Sequence, residues 1–207
     1  MNRKYRILIA MVLALAASGA LAAAWTLLAG APAPRVTTTG TAVIGGPFTL
    51  VADDGKTVTD QTYRGKWLLI FFGYTYCPDA CPTALNNISV ALEKLGPDAE
   101  KLQPLFVTVD PQRDTREVMA EYLRPFDSRI RGLTGSQDQV DSVVKEYRVY
   151  VAQQKSESEE GDDYLVSHSA YIYLMGPQGK FVNVIQGNEA GPEIAAWLRK
   201  QMTQSKT

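Results

Sequence analysis

The chain has 207 residues, with 21 lysines and arginines against 22 aspartates and glutamates, one histidine, two cysteines and a formal net charge of -1. That balance leaves no basic excess to neutralise phosphates, which argues against a nucleic-acid partner. At 45% hydrophobic and 21% charged the composition excludes a disordered or collagen-like chain. Two cysteines and one histidine supply neither a disulfide framework nor a closed four-ligand Cys/His zinc site.

Arg3, Lys4 and Arg6 precede a run from Ile7 to Gly30 that carries no charge. A stretch of roughly 20 apolar residues crosses a bilayer as a helix, and the basic end stays on the cytoplasmic side. Residues 1–30 are therefore expected to be one N-terminal transmembrane helix, in the inner membrane and single-pass, with the rest of the chain on the periplasmic, exported side. Ala20-Leu21-Ala22 also fits a signal-peptide cleavage pattern. The apolar run continues past it through Trp25, Leu27 and Leu28, which favours an anchor over cleavage. The exported part keeps every acidic residue and loses three basic ones, so it is mildly acidic. Residues 31–46 contain Pro32, Pro34, Gly45 and Gly46 without amphipathic periodicity and read as a flexible tether. Fully stretched, it would reach on the order of 50 Å.

Residues 47–204 are the size of a single domain. Phe48 to Val51 and Lys56 to Thr59 flank Asp53-Asp54-Gly55, a hairpin signal. Trp67 to Phe72 is a continuous apolar run, as in a strand covered on both faces. Leu85, Ile88, Ala91, Leu92 and Leu95 recur at helical spacing up to Gly96-Pro97. Leu105 to Val109 reads as a second buried strand, and Thr115 to Phe126 and Asp138 to Tyr147 as helices. Lys155 to Asp163, with five acidic residues, reads as a solvated loop. Ser169 to Met175 and Lys180 to Ile185 form a hairpin around Gly176-Pro177-Gln178-Gly179, and a helix from Pro192 to Met202 closes the domain. This order predicts an α/β thioredoxin-like sandwich with a mixed sheet.

The chemistry concentrates in Cys77-Pro78-Asp79-Ala80-Cys81-Pro82, where the buried strand hands over to a helix. Open α/β sheets place their sites at such strand ends. Pro78 suits a first helical position, and unpaired N–H groups beside Cys77 favour its thiolate. The i, i+4 spacing lets both sulfurs share one ion or form a disulfide, and spacing alone does not choose between them. His168, just before the strand from Ala170 to Met175, is the only imidazole. Two thiolates and one imidazole favour copper, particularly Cu(I), with zinc the competing metal.

Gly73 to Thr83, Val107 to Thr115, Gly132 to Gly135 and Asp163 to Ser169 together resemble the Sco/SenC family of copper-binding proteins. The resemblance implies a membrane-anchored thioredoxin-like domain that binds one copper, Cu(I) or Cu(II), through Cys77, Cys81 and His168. It also implies a metallochaperone that helps to assemble the binuclear copper centre of cytochrome c oxidase subunit II, with that subunit and another copper chaperone as partners. Ser167 and Gln112 stand where the family often has Asp and Glu; neither is a ligand.

The alternative is a thiol-disulfide oxidoreductase in which Cys77 attacks a partner disulfide and Cys81 resolves it. The C-x-x-x-C spacing, unlike the C-x-x-C of ordinary redox domains, favours the metallochaperone. Asp79 is a first-turn acid or faces a partner. Arg113 and Asp114 form a docking or orienting pair unless Asp114 or Thr115 caps the helix that follows. Met119 and Met175 are core residues. Asn87-Ile88-Ser89 matches a glycosylation triplet but lies within a helix.

Overall fold

A computed structural model describes residues 43–155 and 164–204, together with Tyr5, Ile7, Ile9, 11–13 and 15–19. The chain divides into two units, Met1–Ala42 and Val43–Thr207. In the first, the described residues are helical. Among the described residues no helix is long and apolar enough to cross a membrane. Most of the anchor expected over 1–30 and of the tether over 31–46, and the loop over 156–163, lie outside the described residues.

In the second unit, β1 (Thr49–Ala52) and β2 (Thr57–Thr59) form the expected hairpin, with Val51 opposite Thr57. Gly55 takes φ 84° in the turn, a conformation that side chains resist. β3 (Trp67–Gly73) is buried at every residue, as its unbroken apolar run requires. It leads through an irregular segment into α1 (Ala80–Leu95), whose Leu85, Ile88, Leu92 and Leu95 turn inward. A 3-10 turn over Gly96–Lys101 then enters β4 (Leu102–Thr108). This strand begins three residues before Leu105 and contains Pro104. The proline is tolerated because the neighbouring β5 (Arg131–Thr134) pairs with β4 only from Leu105 onward.

Thr115 caps α2 (Arg116–Leu123), its hydroxyl accepting from the Val118 N–H. Ser136 and Gln139 form a reciprocal capping box at the start of α3 (Gln137–Glu146). Two strands missing from the sequence reading follow, β6 (Val151–Lys155) and β7 (Tyr164–His168), paired antiparallel with Val151 opposite His168. β8 (Tyr171–Met175) and β9 (Phe181–Gln186) make the late hairpin, and α4 (Gly191–Gln204) closes the domain.

The main sheet runs β2-β1-β5-β4-β3-β8-β9. β3, β4 and β5 are parallel, while β1 joins β5 and β8 joins β3 antiparallel. This is the thioredoxin-like α/β arrangement with a mixed sheet. Phe71 stacks on Phe106 at 6.1 Å between ring centroids, while the next residue, Phe72, meets Tyr147 at 5.4 Å and Tyr173 at 5.7 Å. Successive strand residues thus feed the cores on opposite faces, and each such fully buried side chain contributes about 1.5–3 kcal/mol. Helix α4 packs along α1, and an added Cβ at Gly191 would fall 2.5 Å from Val90 and 2.8 Å from the Asn87 carbonyl oxygen. A side chain there would push the helices apart. At the other end of the sheet, Gly45 lies against Met175 and Tyr147, and its N–H donates to the Glu146 carbonyl at 2.9 Å.

Candidate metal centre

The thiol-bearing segment follows β3 directly. Cys77 lies three residues before the first helical residue, so Pro78 falls short of the first helical position assigned to it from sequence. Asp79 occupies the cap position itself, not the first turn. It is exposed, and its carboxylate makes no capping hydrogen bond. Its carbonyl accepts from the Thr83 N–H, which closes the first helical turn. Pro82 sits within that turn, where its missing N–H costs nothing. With no side-chain oxygen capping the helix, the Cys77 sulfur takes that place and accepts from the Cys81 N–H at 3.4 Å.

The Cys81 sulfur is fully buried. An added Cβ at Gly73 would lie 2.7 Å from that sulfur and 2.6 Å from the Phe106 ring. Glycine at the end of β3 therefore makes room for the sulfur. Both cysteines are free thiols, Cys77 half-buried. A cleft of about 410 Å³, lined by Asp79, Ala80, Thr83, Tyr171, Gln186 and Asn188 but by neither cysteine, lies at the start of α1.

His168 is the last residue of β7, a different strand from the one that sequence reasoning placed immediately after it. Its ring packs edge-on against Phe71 at 6.1 Å and Tyr74 at 5.9 Å. Nδ1 lies 3.1 Å from the Ser169 carbonyl oxygen, which can only accept, so Nδ1 carries the proton. Nε2 keeps its lone pair and stands 3.5 Å from the Cys81 sulfur. The two sulfurs and a ring nitrogen all lie within 4.8 Å of one another. Metal bonds of about 2.3 Å to sulfur and 2.0 Å to nitrogen, at angles of about 110–120°, separate donors by roughly 3.5–4 Å. The donor set fits a soft, low-coordinate ion with little rearrangement.

The two thiols titrate far apart. Cys77 is held down at about 4, chiefly because Cys81 donates its S–H to the Cys77 thiolate, with burial opposing and the Cys81 N–H adding a second bond. Cys81 is pushed up by that same bond and by its burial. The pair shares one proton, a half-exposed thiolate beside a buried thiol.

A buried polar network lies alongside. Asp114 is fully buried and does not pair with Arg113. Its carboxylate accepts from the Thr75 N–H at 3.1 Å, the Thr75 hydroxyl at 2.6 Å and the Thr108 hydroxyl at 2.6 Å. Burial raises its pKa against the pull of these bonds. Arg113 pairs instead with Asp110 at 2.5 Å, and Asp110 also accepts from the Tyr164 hydroxyl at 2.6 Å. Burial and that donation push the Tyr164 phenol up to about 12. The Arg113 guanidinium lies 3.7 Å from the centre of the Tyr164 ring and 4.8 Å from that of Tyr76. Asp110, Tyr74 and Tyr164 fall within the segments that resemble the family, but the sequence assigns them no role. Tyr74 and Tyr76 beside Cys77 hinted at an aromatic surround, but nothing local connects Tyr164 to Asp110. Met119 and Met175 are core residues, and the Asn87 side chain, inside α1, donates to the Gly187 carbonyl.

The profile of the SCO1/SenC family matches residues 36–203. Protein SCO1 homolog, mitochondrial, of Homo sapiens is 40% identical over 168 residues, covering 79% of this chain and 54% of that protein. Protein sco1 of Schizosaccharomyces pombe is 42% identical over 159 residues, covering 76% of this chain and 60% of that protein. The chain spans about half the length of the curated relatives it matches. Among solved structures, Bradyrhizobium japonicum ScoI with copper bound has 44% identity and a TM-score of 0.70, covering 76% of this chain and 99% of that one. Arabidopsis thaliana ScoI with copper bound has 40% identity and a TM-score of 0.72, covering 78% and 99%.

Proposed function

Because the chain belongs to the SCO1/SenC family, we propose that it is a copper metallochaperone that carries one copper ion on Cys77, Cys81 and His168. The observation that carries this reading is the convergence of the chain's only two thiols and only imidazole within 4.8 Å. Copper bound in solved relatives at 44% and 40% identity supports the choice of ion.

The residues divide the work. Cys77, already a thiolate and half-exposed, meets the incoming ion first. Cys81 gives up its proton as it joins, so uptake releases a proton near neutral pH. His168 offers Nε2 in the required tautomer. Delivery is the reverse, as an acceptor's thiolates replace these donors one at a time. We assign the acceptor as cytochrome c oxidase subunit II, whose binuclear copper centre is assembled, and the donor as another copper chaperone. Residues 1–30 then anchor the protein in the inner membrane and 31–46 tether the domain, 47–204, on the periplasmic side.

One observation favours a second reading. A low-pKa, half-exposed Cys77 beside a protonated, buried Cys81 also suits a thiol-disulfide oxidoreductase. The Cys77 thiolate would attack a partner disulfide, expelling one partner thiolate and forming a mixed disulfide. Cys81, on losing its proton, would then displace the other, leaving a Cys77–Cys81 disulfide and a reduced partner.

Copper(I) titration of the reduced full chain, wild type beside His168→Ala, separates the readings. Tight one-to-one uptake that weakens in the variant supports the metallochaperone; no uptake by the wild type leaves the oxidoreductase.

A further inference from the structure

His168 stands on a ribbon that, among the described residues, is outside the main sheet: β6 and β7 pair with each other and with no strand of the larger sheet. After His168, Ser169 and Ala170 lead into β8 of the main sheet, where the Gly187 N–H donates to the Ala170 carbonyl at 2.8 Å. β7 itself makes no ladder hydrogen bond to that sheet, and side-chain bonds hold it. Tyr74, just after β3, accepts the Val166 N–H on its hydroxyl at 3.3 Å. At the start of β7 the attachment is stronger and more polar. The Tyr164 hydroxyl donates to Asp110 at 2.6 Å, and Arg113 donates through Nη1 to the Tyr164 carbonyl at 3.0 Å. The guanidinium also lies over the Tyr164 ring, 3.7 Å from its centre. Its Nη2 is buried with no hydrogen-bond acceptor among the described residues, so the aromatic faces are what surround it.

The loop that grips Tyr164 also grips the thiol segment. The Asp110 N–H donates to the Thr108 hydroxyl, which donates to Asp114, which accepts twice from Thr75, two residues before Cys77. One loop between β4 and α2 thus holds both halves of the site in register.

We propose that Tyr164, clamped by Asp110 and Arg113, is a positioning residue that fixes His168 at binding distance from Cys77 and Cys81. This rests on the metal-binding reading above. Tyr164 touches no donor atom, and its effect passes along the three residues of β7 between it and His168.

The test is a double-mutant cycle in the full chain, with copper(I) affinity measured by competition against a chromophoric copper(I) chelator. Tyr164→Phe removes only the hydroxyl and should weaken binding about ten-fold, the lower end for residues that orient a metal ligand. In the His168→Ala background the same change should have no further effect, because the ligand it positions is gone. An undiminished loss in that background, or no loss in either, overturns the proposal. Since the chain has one histidine, its ring resonances give a second, metal-free readout: Tyr164→Phe should shift or broaden them, and an unchanged ring signal overturns the proposal. If the wild type takes up no copper(I), the metallochaperone reading fails while the ring signal still decides the positioning role. Should Tyr164→Phe not fold, Asp110→Asn, which keeps the shape and removes the charged acceptor, is put through the same cycle.

Discussion

The Cys81 sulfur lies 3.5 Å from the His168 Nε2 across 87 positions of sequence. The donor set is therefore a tertiary product. Cys77 and Cys81 are brought together by one turn of backbone, but the imidazole arrives only when the ribbon docks on the core.

Replacing His168 by Ala should lower copper(I) affinity by about 100-fold or more, since even residues that merely orient a ligand change affinity 10- to 100-fold. The change removes a half-buried side chain at a strand end, so the apo fold should persist. Chelator competition and far-ultraviolet circular dichroism on the same samples check both statements.

Gly73→Ala should be costly although it adds a single methyl. That methyl would sit 2.7 Å from the Cys81 sulfur and 2.6 Å from Phe106, both fully buried. Overpacking of this kind costs about 1–3 kcal/mol, and the displaced sulfur should also bind copper less well. Urea unfolding and metal competition should fall together; a variant of wild-type stability would mean that the site relaxes freely.

The thiol pair makes a pH prediction with a definite sign. Cys77 falls from an ordinary value of 9.0 to about 4 on folding. Its contribution to stability is present above the unfolded value and is lost as pH falls toward 4. Cys81, raised on folding, works the other way, and its contribution is lost as pH climbs above its unfolded value. Between pH 8 and pH 5 the reduced wild type should lose more of its urea midpoint than Cys77→Ala does. Cys77 should also be alkylated by iodoacetamide well below pH 7, where an ordinary thiol is inert.

Asp114→Ala should destabilise the domain by about 2–4 kcal/mol. It strands the Thr75 N–H and the hydroxyls of Thr75 and Thr108 away from their acceptor, and each buried orphan costs about 1–3 kcal/mol. Because Thr75 lies two residues before Cys77, faster Cys77 alkylation should accompany the loss. A variant that unfolds at the wild-type midpoint would show that water replaces the carboxylate without penalty.

The parts of the fold legible in the sequence are those where one physical demand dominates. Trp67 to Phe72 is buried on both faces and so had to be uniformly apolar, and Asp53-Asp54-Gly55 marks a turn because Gly55 takes a positive φ. The site was legible through scarcity, since no other thiols or imidazoles exist to choose from. The ribbon was not, because Val166 is its only fully buried residue among those of β7 and leaves too thin a pattern. Of the two readings for Arg113, Asp114 and Thr115, the cap holds, at Thr115, and the pair does not: the fold points Asp114 at Thr75 and Thr108 and gives Arg113 to Asp110 and Tyr164. The choice among neighbouring carboxylates is made by tertiary packing, which local sequence does not encode.

Gly45 docks beside Met175, the residue paired with Leu68 near the start of β3, whereas the thiol segment leaves from Gly73 at that strand's far end. At about 3.3 Å per residue the strand separates the two points by roughly 17 Å. Gly45 therefore packs at the end of the domain opposite the sulfurs. A change at Gly45 therefore reaches the sulfurs only through the length of β3.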